Sequence, residues 1–307
     1  MNAIADVTPD VSVVIVSFNT VGLLTDCLDS LFRQSAGLRL EVIVVDNASH
    51  DGSAAMVRSQ FPGVRLLCNE MNPGFARANN QALPLCQGRF LLLLNPDTVV
   101  LEGALQRLLT FMQEHPAVGM CGPRRVYPDM SDQRSSYPYP SFKGVLALYT
   151  GLYGRFPGLG RLLAPEWVEA QPGQTREVDW CSAACLMVSR ACYEAVGGLD
   201  DGAFMYYEDT DWCRRARQSG WQVVYFADAC VVHYLGGSQR ADSGQYQRRL
   251  RELRGALYYL RKWHGPSYAA LYRGGVRLCG AYRYARRRGR TDDPQELVYY
   301  RALALGR

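Results

Sequence analysis

Four short apolar runs, separated by stretches with helical spacing, do most to limit what this chain can fold into. The first, VSVVIVSF at 11–18, is nearly continuous rather than alternating. That is the pattern of a strand covered on both faces, as in a parallel sheet. After it, Leu24, Leu28, Leu31 and Phe32 recur at helical intervals and form one apolar stripe, with Asn19 or Thr20 placed to cap the helix. Further runs at 41–45, 64–67 and 90–94 repeat the unit, with a helix expected over 75–85. Such alternation predicts an α/β fold, a mostly parallel sheet flanked by helices and wound in the right-handed sense. Ligands of such sheets bind beyond the carboxyl ends of the strands, so the residues after each run are where chemistry is expected.

Residues 122–179 break this rhythm with several prolines and many aromatics, among them Tyr127, Tyr137, Tyr139, Phe142, Tyr149, Tyr153, Phe156 and Trp167. We read them as a long excursion from the scaffold, of the loop kind that carries specificity. Regular structure is expected to resume over 180–188, continue in a helix over 210–218, and close with strands at 221–226 and 230–234. From 245 the chain reads as helical and amphipathic. At 307 residues the chain suits one large α/β unit, 10–240, with an appendage at 245–307. The net charge of +5 belongs to that appendage, where twelve arginines and Lys262 stand against Glu252 alone between 248 and 290.

Ten scattered cysteines show no paired spacing that suits zinc and read as buried thiols. No charged-then-apolar leader precedes residue 10, and no span reaches 18 uninterrupted apolar residues. A cytoplasmic chain without a transmembrane helix is expected, with a surface association left open.

The strand ends are polar. After the second run come Asp46, Asn47 and Asp51, which can reach the base and ribose of a nucleotide or form an Asx turn and helix cap. Asn72-Pro-Gly74-Phe75 opens the next helix, where glycine admits close approach of a ligand and free amides favour phosphate oxygens. Arg77 offers a charge-assisted contact to a diphosphate or a solvated face, and Asn80 follows on the same side. Strand four runs into Asn95-Pro96-Asp97, an amide and a carboxylate pointing to one side. Mg2+ or Mn2+ suits that hard-oxygen corner, being held by one or two protein oxygens with water and substrate phosphates; the same tripeptide is also a plain turn. Glu208 and Asp209 open a helix after Phe204-Met-Tyr-Tyr207. Acids there stabilise the helix end, and a carboxylate beside apolar rings can serve as a general base. His233 ends the last strand, either as a structural histidine or as a completion of the metal site.

Six segments, VSVVIVSFN, VVDNASHDGS, NPGFARANN, LLLLNPD, CLMVSRACYEAVGGLDDGAFMYYEDTDWCRRARQSGW and VVHYLGGS, stand in that order between residues 11 and 240. Together they resemble the inverting GT-A glycosyltransferases of family 2, particularly the bacterial rhamnosyltransferase-like branch. The resemblance implies a GT-A fold and transfer of a sugar, L-rhamnose from dTDP-rhamnose or a sugar from a UDP donor, from a nucleotide-diphosphate donor to a glycan or polyprenyl-diphosphate-linked acceptor. It implies donor contacts around Phe18, Asn19, Asp46, Asn47, Asp51, Gly74, Arg77, Asn80, Asn95 and Asp97, with Asn95 and Asp97 in the place of the metal-binding DxD. It also implies Asp209 as base, with Glu208 beside it, and His233 as a partner of metal or diphosphate. Asn95 departs from the first aspartate of DxD and leaves Asp97 as the one carboxylate ligand. Acceptors of that kind, with the arginines of 248–290 interleaved with aromatics, imply peripheral attachment at the inner face of the cell membrane.

Two other readings compete. A nucleotidyltransferase or a dinucleotide-dependent dehydrogenase wants a glycine-rich loop after strand one, and Ser17-Phe-Asn-Thr-Val-Gly22 is not one. A processive synthase wants a QxxRW motif and membrane spans. The other class is a non-catalytic surface-binding protein whose basic tail meets anionic lipid or nucleic acid; lipid is the expected partner and nucleic acid is not.

Overall fold

The computed structural model describes residues 8–142, 173–202, 204–234, 244–290 and 293–306. They divide into two compact units, one of residues 8–137, 173–202, 204 and 208–234, the other of 138–142, 205–207, 244–290 and 293–306. In the first, β1 (Val11–Ser17), β2 (Leu40–Asp46), β3 (Arg65–Cys68) and β4 (Phe90–Leu94) alternate with α1 (Val21–Arg33), α2 (Ser53–Gln60) and α3 (Phe75–Ala82). A 3-10 turn, Leu83–Leu85, completes α3 where Pro84 ends regular α-helix. Next come β5 (Thr98–Val100), α4 (Ala104–Glu114), β6 (Val118–Val126), β7 (Asp132–Gln133), β8 (Ser136–Tyr137), β9 (Arg176–Glu177), β10 (Trp180–Cys181) and β11 (Cys185–Ser189). Two helices, α5 (Arg190–Val196) and α6 (Glu208–Gln218), lead to the long strand β12 (Gln222–His233).

The main sheet runs in the order β3-β2-β1-β4-β11-β6-β12-β5, with β7 on β6 and β9 on β12, while β8 and β10 form a separate pair. The parallel expectation holds for β3-β2-β1-β4 and for β6-β12, but β11 is antiparallel to both neighbours and β5 antiparallel to β12. For β5 the reason is length. Asn95-Pro96-Asp97 is far too short for a parallel crossover, so the sheet curls and β5 joins its far edge. The strands expected at 221–226 and 230–234 are one element, continued through an irregularity between Phe226 and Cys230.

Period-two geometry divides the core. Val11, Val13 and Ile15 pack with α1, α2 and α4 through Leu24, Leu28, Leu31, Val57, Leu105 and Leu108. Val14 and Val16 face the other way, onto Ala78, Ala82, Trp212 and Ala216 of α3 and α6. The continuous apolar runs therefore serve two cores at once. Eight of the ten cysteines are buried as free thiols, with Cys68 exposed and Cys230 intermediate.

The long excursion begins later than expected, because β6 carries the sheet through Gly122 to Val126. Most of its remainder, with Tyr149, Tyr153, Phe156 and Trp167, lies outside the described residues.

The second unit contains α7 (Gln245–His264), α8 (Pro266–Arg287) and α9 (Pro294–Leu305). Gly265, at φ +86°, turns the chain between the first two, and Pro266 starts α8 where its missing N–H costs nothing. At Gly280 a Cβ would come within 2.7 Å of Leu303 Cβ, so glycine lets α8 and α9 approach closely. The aromatics expected to face an anionic partner are partly the unit's own core: Tyr259 and Tyr272 are buried with Leu260, Val276, Tyr299, Tyr300 and Leu303. A three-helix unit has few residues from which to build a core, and large rings supply the area. Tyr258 and Tyr282 remain exposed, as do Leu271 and Leu278. Among the described residues no helix is long and apolar enough to cross a membrane.

Candidate active site

The end of β2 is a meshwork of short side chains. Asp46 Oδ2 accepts from the Ser49 amide at 3.0 Å, while its Oδ1 is buried with no hydrogen-bond partner among the described residues. Asn47 is held from both sides, donating to Asn72 Oδ1 at 3.2 Å and accepting from Asn69 Nδ2 at 2.9 Å. Phe18 follows β1 directly and is half-buried. Asn19, in the left-handed region at φ +52°, accepts from the His50 amide at 2.8 Å and donates its own amide to Ser49 Oγ at 2.9 Å.

Asp51 is the cap of two helices. Its Oδ2 accepts from the Val21 amide at 2.7 Å, and its Oδ1 accepts from the Ser53 amide at 3.0 Å and the Ser53 hydroxyl at 2.6 Å. Thr20, one of two residues expected to cap α1, makes no side-chain cap bond. Burial works against the charge of Asp51, but the Ser53 and Val21 bonds outweigh it and hold the carboxyl below its usual range.

Around α3 the side chains are engaged by protein. A Cβ on Gly74 would stand 2.5 Å from the Phe204 carbonyl oxygen, and φ there is +94°. Glycine is thus required by the backbone angle and by Phe204, quite apart from any ligand. Asn80 spends its whole amide on one residue, accepting from the Leu199 N–H at 2.9 Å and donating to its carbonyl at 2.8 Å. Arg77 reaches Asp201 at 3.2 Å on an exposed face.

Past β4, the Asn95 amide donates to the Ala184 carbonyl at 2.9 Å, and the Thr98 amide and hydroxyl both return to the Asn95 carbonyl, at 3.2 and 2.7 Å. The turn expected of this tripeptide exists, and it aims Asp97 inward. Pairing of β12 with β5 sets His233 opposite Thr98, and His233 Nε2 lies 3.5 Å from Asp97 Oδ1, both residues buried.

Glu208 and Asp209 start α6, whose first turn also holds Asp211. Glu208 is buried, and its Oε2 accepts no hydrogen bond among the described residues. Burial first, and then the neighbouring Asp209 charge, push the Glu208 carboxyl well above its usual range. Burial also raises Asp209, against hydrogen bonds from the Ala183 and Thr210 amides and the charge of Arg125. The Ala183 amide reaches Asp209 Oδ2 at 3.2 Å. The next residue, Ala184, is the one bonded to Asn95. A two-residue segment between β10 and β11 therefore holds the start of α6 and the end of β4 together.

Four participants escaped sequence reasoning. Ala183 and Ala184 act through backbone groups that no side-chain pattern signals. Arg125 is buried and donates to the Arg134 carbonyl and the Tyr137 hydroxyl; in sequence it is one arginine of a pair. Gln133, 2.6 Å from His233 Nδ1, becomes visible only through the pairing of β7 with β6.

Residues 12–160 match the model of glycosyl transferase family 2. This stretch, just under half of the chain, is a family 2 glycosyltransferase domain. Among its relatives is the N-acetylglucosaminyl-diphospho-decaprenol L-rhamnosyltransferase of Mycobacterium tuberculosis, 29% identical over 67% of this chain and 70% of that protein. The low-salt glycan biosynthesis hexosyltransferase Agl10 of Haloferax volcanii is 24% identical over 78% of this chain and 71% of its own length. In fold, the chain is similar to the mannosyltransferase PcManGT of Pyrobaculum calidifontis, whose structure holds GDP-Man and Mn2+. The TM-score is 0.60 at 17% identity, covering 98% of this chain and 87% of that one. The GT-A fold expected from the sequence is thus the observed one, and the chain is a glycosyltransferase.

Proposed function

We propose that this glycosyltransferase moves L-rhamnose from dTDP-rhamnose to a glycan or polyprenyl-diphosphate-linked acceptor, with inversion at the anomeric carbon. The Mycobacterium tuberculosis relative, a rhamnosyltransferase named for a diphospho-decaprenol acceptor, supports the choice of sugar and acceptor. The observation that carries the reaction type is the tie through Ala183 and Ala184. A half-buried carboxylate whose proton affinity is raised, Asp209, is fixed by adjacent peptide groups to the corner at Asn95 and Asp97.

In this reading Asp46 Oδ1 accepts from the nucleotide's base or ribose, which gives the unsatisfied buried oxygen its donor. Phe18, Asn19, Asn47 and Asp51 shape that end, while Gly74, Arg77 and Asn80 keep the α3 side of the donor site in place. Asp97 and His233 would hold Mg2+ or Mn2+. Their facing atoms are 3.5 Å apart, which two bonds of about 2.1 Å span, and one carboxylate with water and donor phosphates is an ordinary set for such an ion. Bound there, the ion supplies Lewis-acid stabilisation of the departing diphosphate.

Asp209 takes the proton of the acceptor hydroxyl as the oxygen bonds to the anomeric carbon and the bond to the diphosphate oxygen breaks. One displacement inverts the configuration. Glu208 is the more strongly disfavoured anion of the pair and carries its proton, which leaves Asp209 as the base. Binding at an anionic membrane surface is assigned to residues 248–290, where exposed Leu271, Leu278 and Tyr282 of α8 lie among arginines.

A transfer assay with dTDP- and UDP-sugars, with and without Mn2+ or Mg2+, tests the reading. Turnover of dTDP-rhamnose with inverted product supports it; turnover of UDP-sugars alone replaces the donor, and a retained configuration overturns the mechanism. Flotation with anionic vesicles tests the surface role. Flotation indifferent to salt and to loss of the basic segment contradicts it.

A further inference from the structure

Strand β7 is only two residues long, and its pairing with β6 places Gln133 opposite Arg125. Both ends of the Gln133 amide meet one residue. Its Nε2 donates to the carbonyl oxygen of His233 at 3.2 Å, and its Oε1 lies 2.6 Å from His233 Nδ1. The two contacts determine each other. A carbonyl oxygen only accepts, so the amide nitrogen must face it and the amide oxygen must face the ring. The amide oxygen also only accepts, so Nδ1 carries a proton, and in the neutral ring the lone pair is left on Nε2, facing Asp97 Oδ1 at 3.5 Å. Gln133, His233 and Asp97 are 6%, 4% and 1% exposed, so solvent does not compete for these bonds.

We propose that Gln133 is a positioning residue for the metal corner: by gripping His233 at backbone and ring it selects the tautomer and ring angle that present Nε2 beside Asp97. This rests on the reading that Asp97 and His233 hold the ion. A histidine ligand is commonly oriented through its second nitrogen, and loss of such a partner typically lowers metal affinity by about 10- to 100-fold. Among the described residues the Gln133 side-chain amide makes no other hydrogen bond, and without its oxygen either ring nitrogen could carry the proton.

Two measurements decide it. In metal-free protein labelled with 15N-histidine, long-range 1H–15N correlation reads the tautomer directly. The chain has four histidines, and the His233 signal is the one lost in His233→Asn. Wild-type protein should show His233 protonated on Nδ1, Gln133→Leu should lose that preference, and Gln133→Glu, which still accepts from Nδ1–H, should keep it. Mn2+ titration followed by electron paramagnetic resonance, with dTDP present, should then show about 10-fold or greater weakening in Gln133→Leu and affinity within a few-fold of wild type in Gln133→Glu. A wild-type His233 protonated on Nε2 overturns the inference even if Gln133→Leu does not fold. Asp97-dependent binding that Gln133→Leu leaves unchanged overturns it alone. Mn2+ affinity indifferent to Asp97→Ala removes the metal reading, and this inference with it.

Discussion

At the end of β2, Asp51 accepts three hydrogen bonds from the starts of two helices, whereas at the start of α6, Glu208 Oε2 accepts none among the described residues. Both ends of the unit carry two carboxylates, yet at one Asp51 is tightly bonded, and at the other Glu208 is buried with Asp209 half-buried beside it, both with raised proton affinity. The contrast follows from what surrounds each. Free helix amides hold the Asp51 charge, and desolvation with a like-charged neighbour opposes that of Glu208. In the proposed mechanism the first end binds the donor and the second moves the proton.

The largest separation of the two ends is expected in catalysis. Asp209→Asn should reduce kcat by about 10²- to 10⁴-fold, the usual worth of a general base, in a transfer assay at saturating donor. Asp46→Ala should instead weaken donor binding by about 10- to 100-fold, corresponding to one hydrogen bond from a charged acceptor, as measured by calorimetry with dTDP. Full donor affinity in Asp46→Ala would remove Asp46 from the donor site.

A smaller effect distinguishes frame from site. Asp51→Ala strips both helix starts, and each lost cap costs about 0.5–2 kcal/mol, so the midpoint of urea unfolding should fall. Because the Asp51 carboxyl is held below its usual range, its contribution is present above the ordinary aspartate pKa and lost as pH falls through the lowered value. The stability gap between wild type and Asp51→Ala should therefore narrow in acid. Glu208 carries the opposite sign. Its raised carboxyl contributes fully below the ordinary glutamate pKa and loses that contribution as pH rises through the raised value. Tm of wild type should decline from acid to alkaline pH relative to Glu208→Gln, and parallel Tm curves would contradict the description of Glu208 as a buried carboxyl beside a like charge.

The apolar runs made the β1–β4 half readable because continuous Val, Ile and Leu can be covered only by helices on both faces. The reversal of β11 and β5 was not readable, since strand direction depends on connection length and partner edge rather than on a strand's own pattern. Asp46, Asp97, Asp209 and His233 were legible as polar residues at strand and helix ends. Asn80 shows the limit: its type and spacing fit a ligand contact, but the turn at Leu199 takes both of its amide atoms. Gln133 and Ala183 were invisible for a related reason, because their partners are a hundred and 26 residues away and only the sheet brings them together.

The division of labour between the two ends is tested most directly by measuring donor Kd and single-turnover rate at saturating donor in the same preparations of Asp209→Asn and Asp46→Ala. A crossed result is predicted: Asp209→Asn binds dTDP-rhamnose as wild type does and loses the rate, while Asp46→Ala loses affinity and keeps a rate within about ten-fold once saturated. If Asp209→Asn turns over at the wild-type rate, or both variants lose only affinity, the assignment of base and frame is wrong.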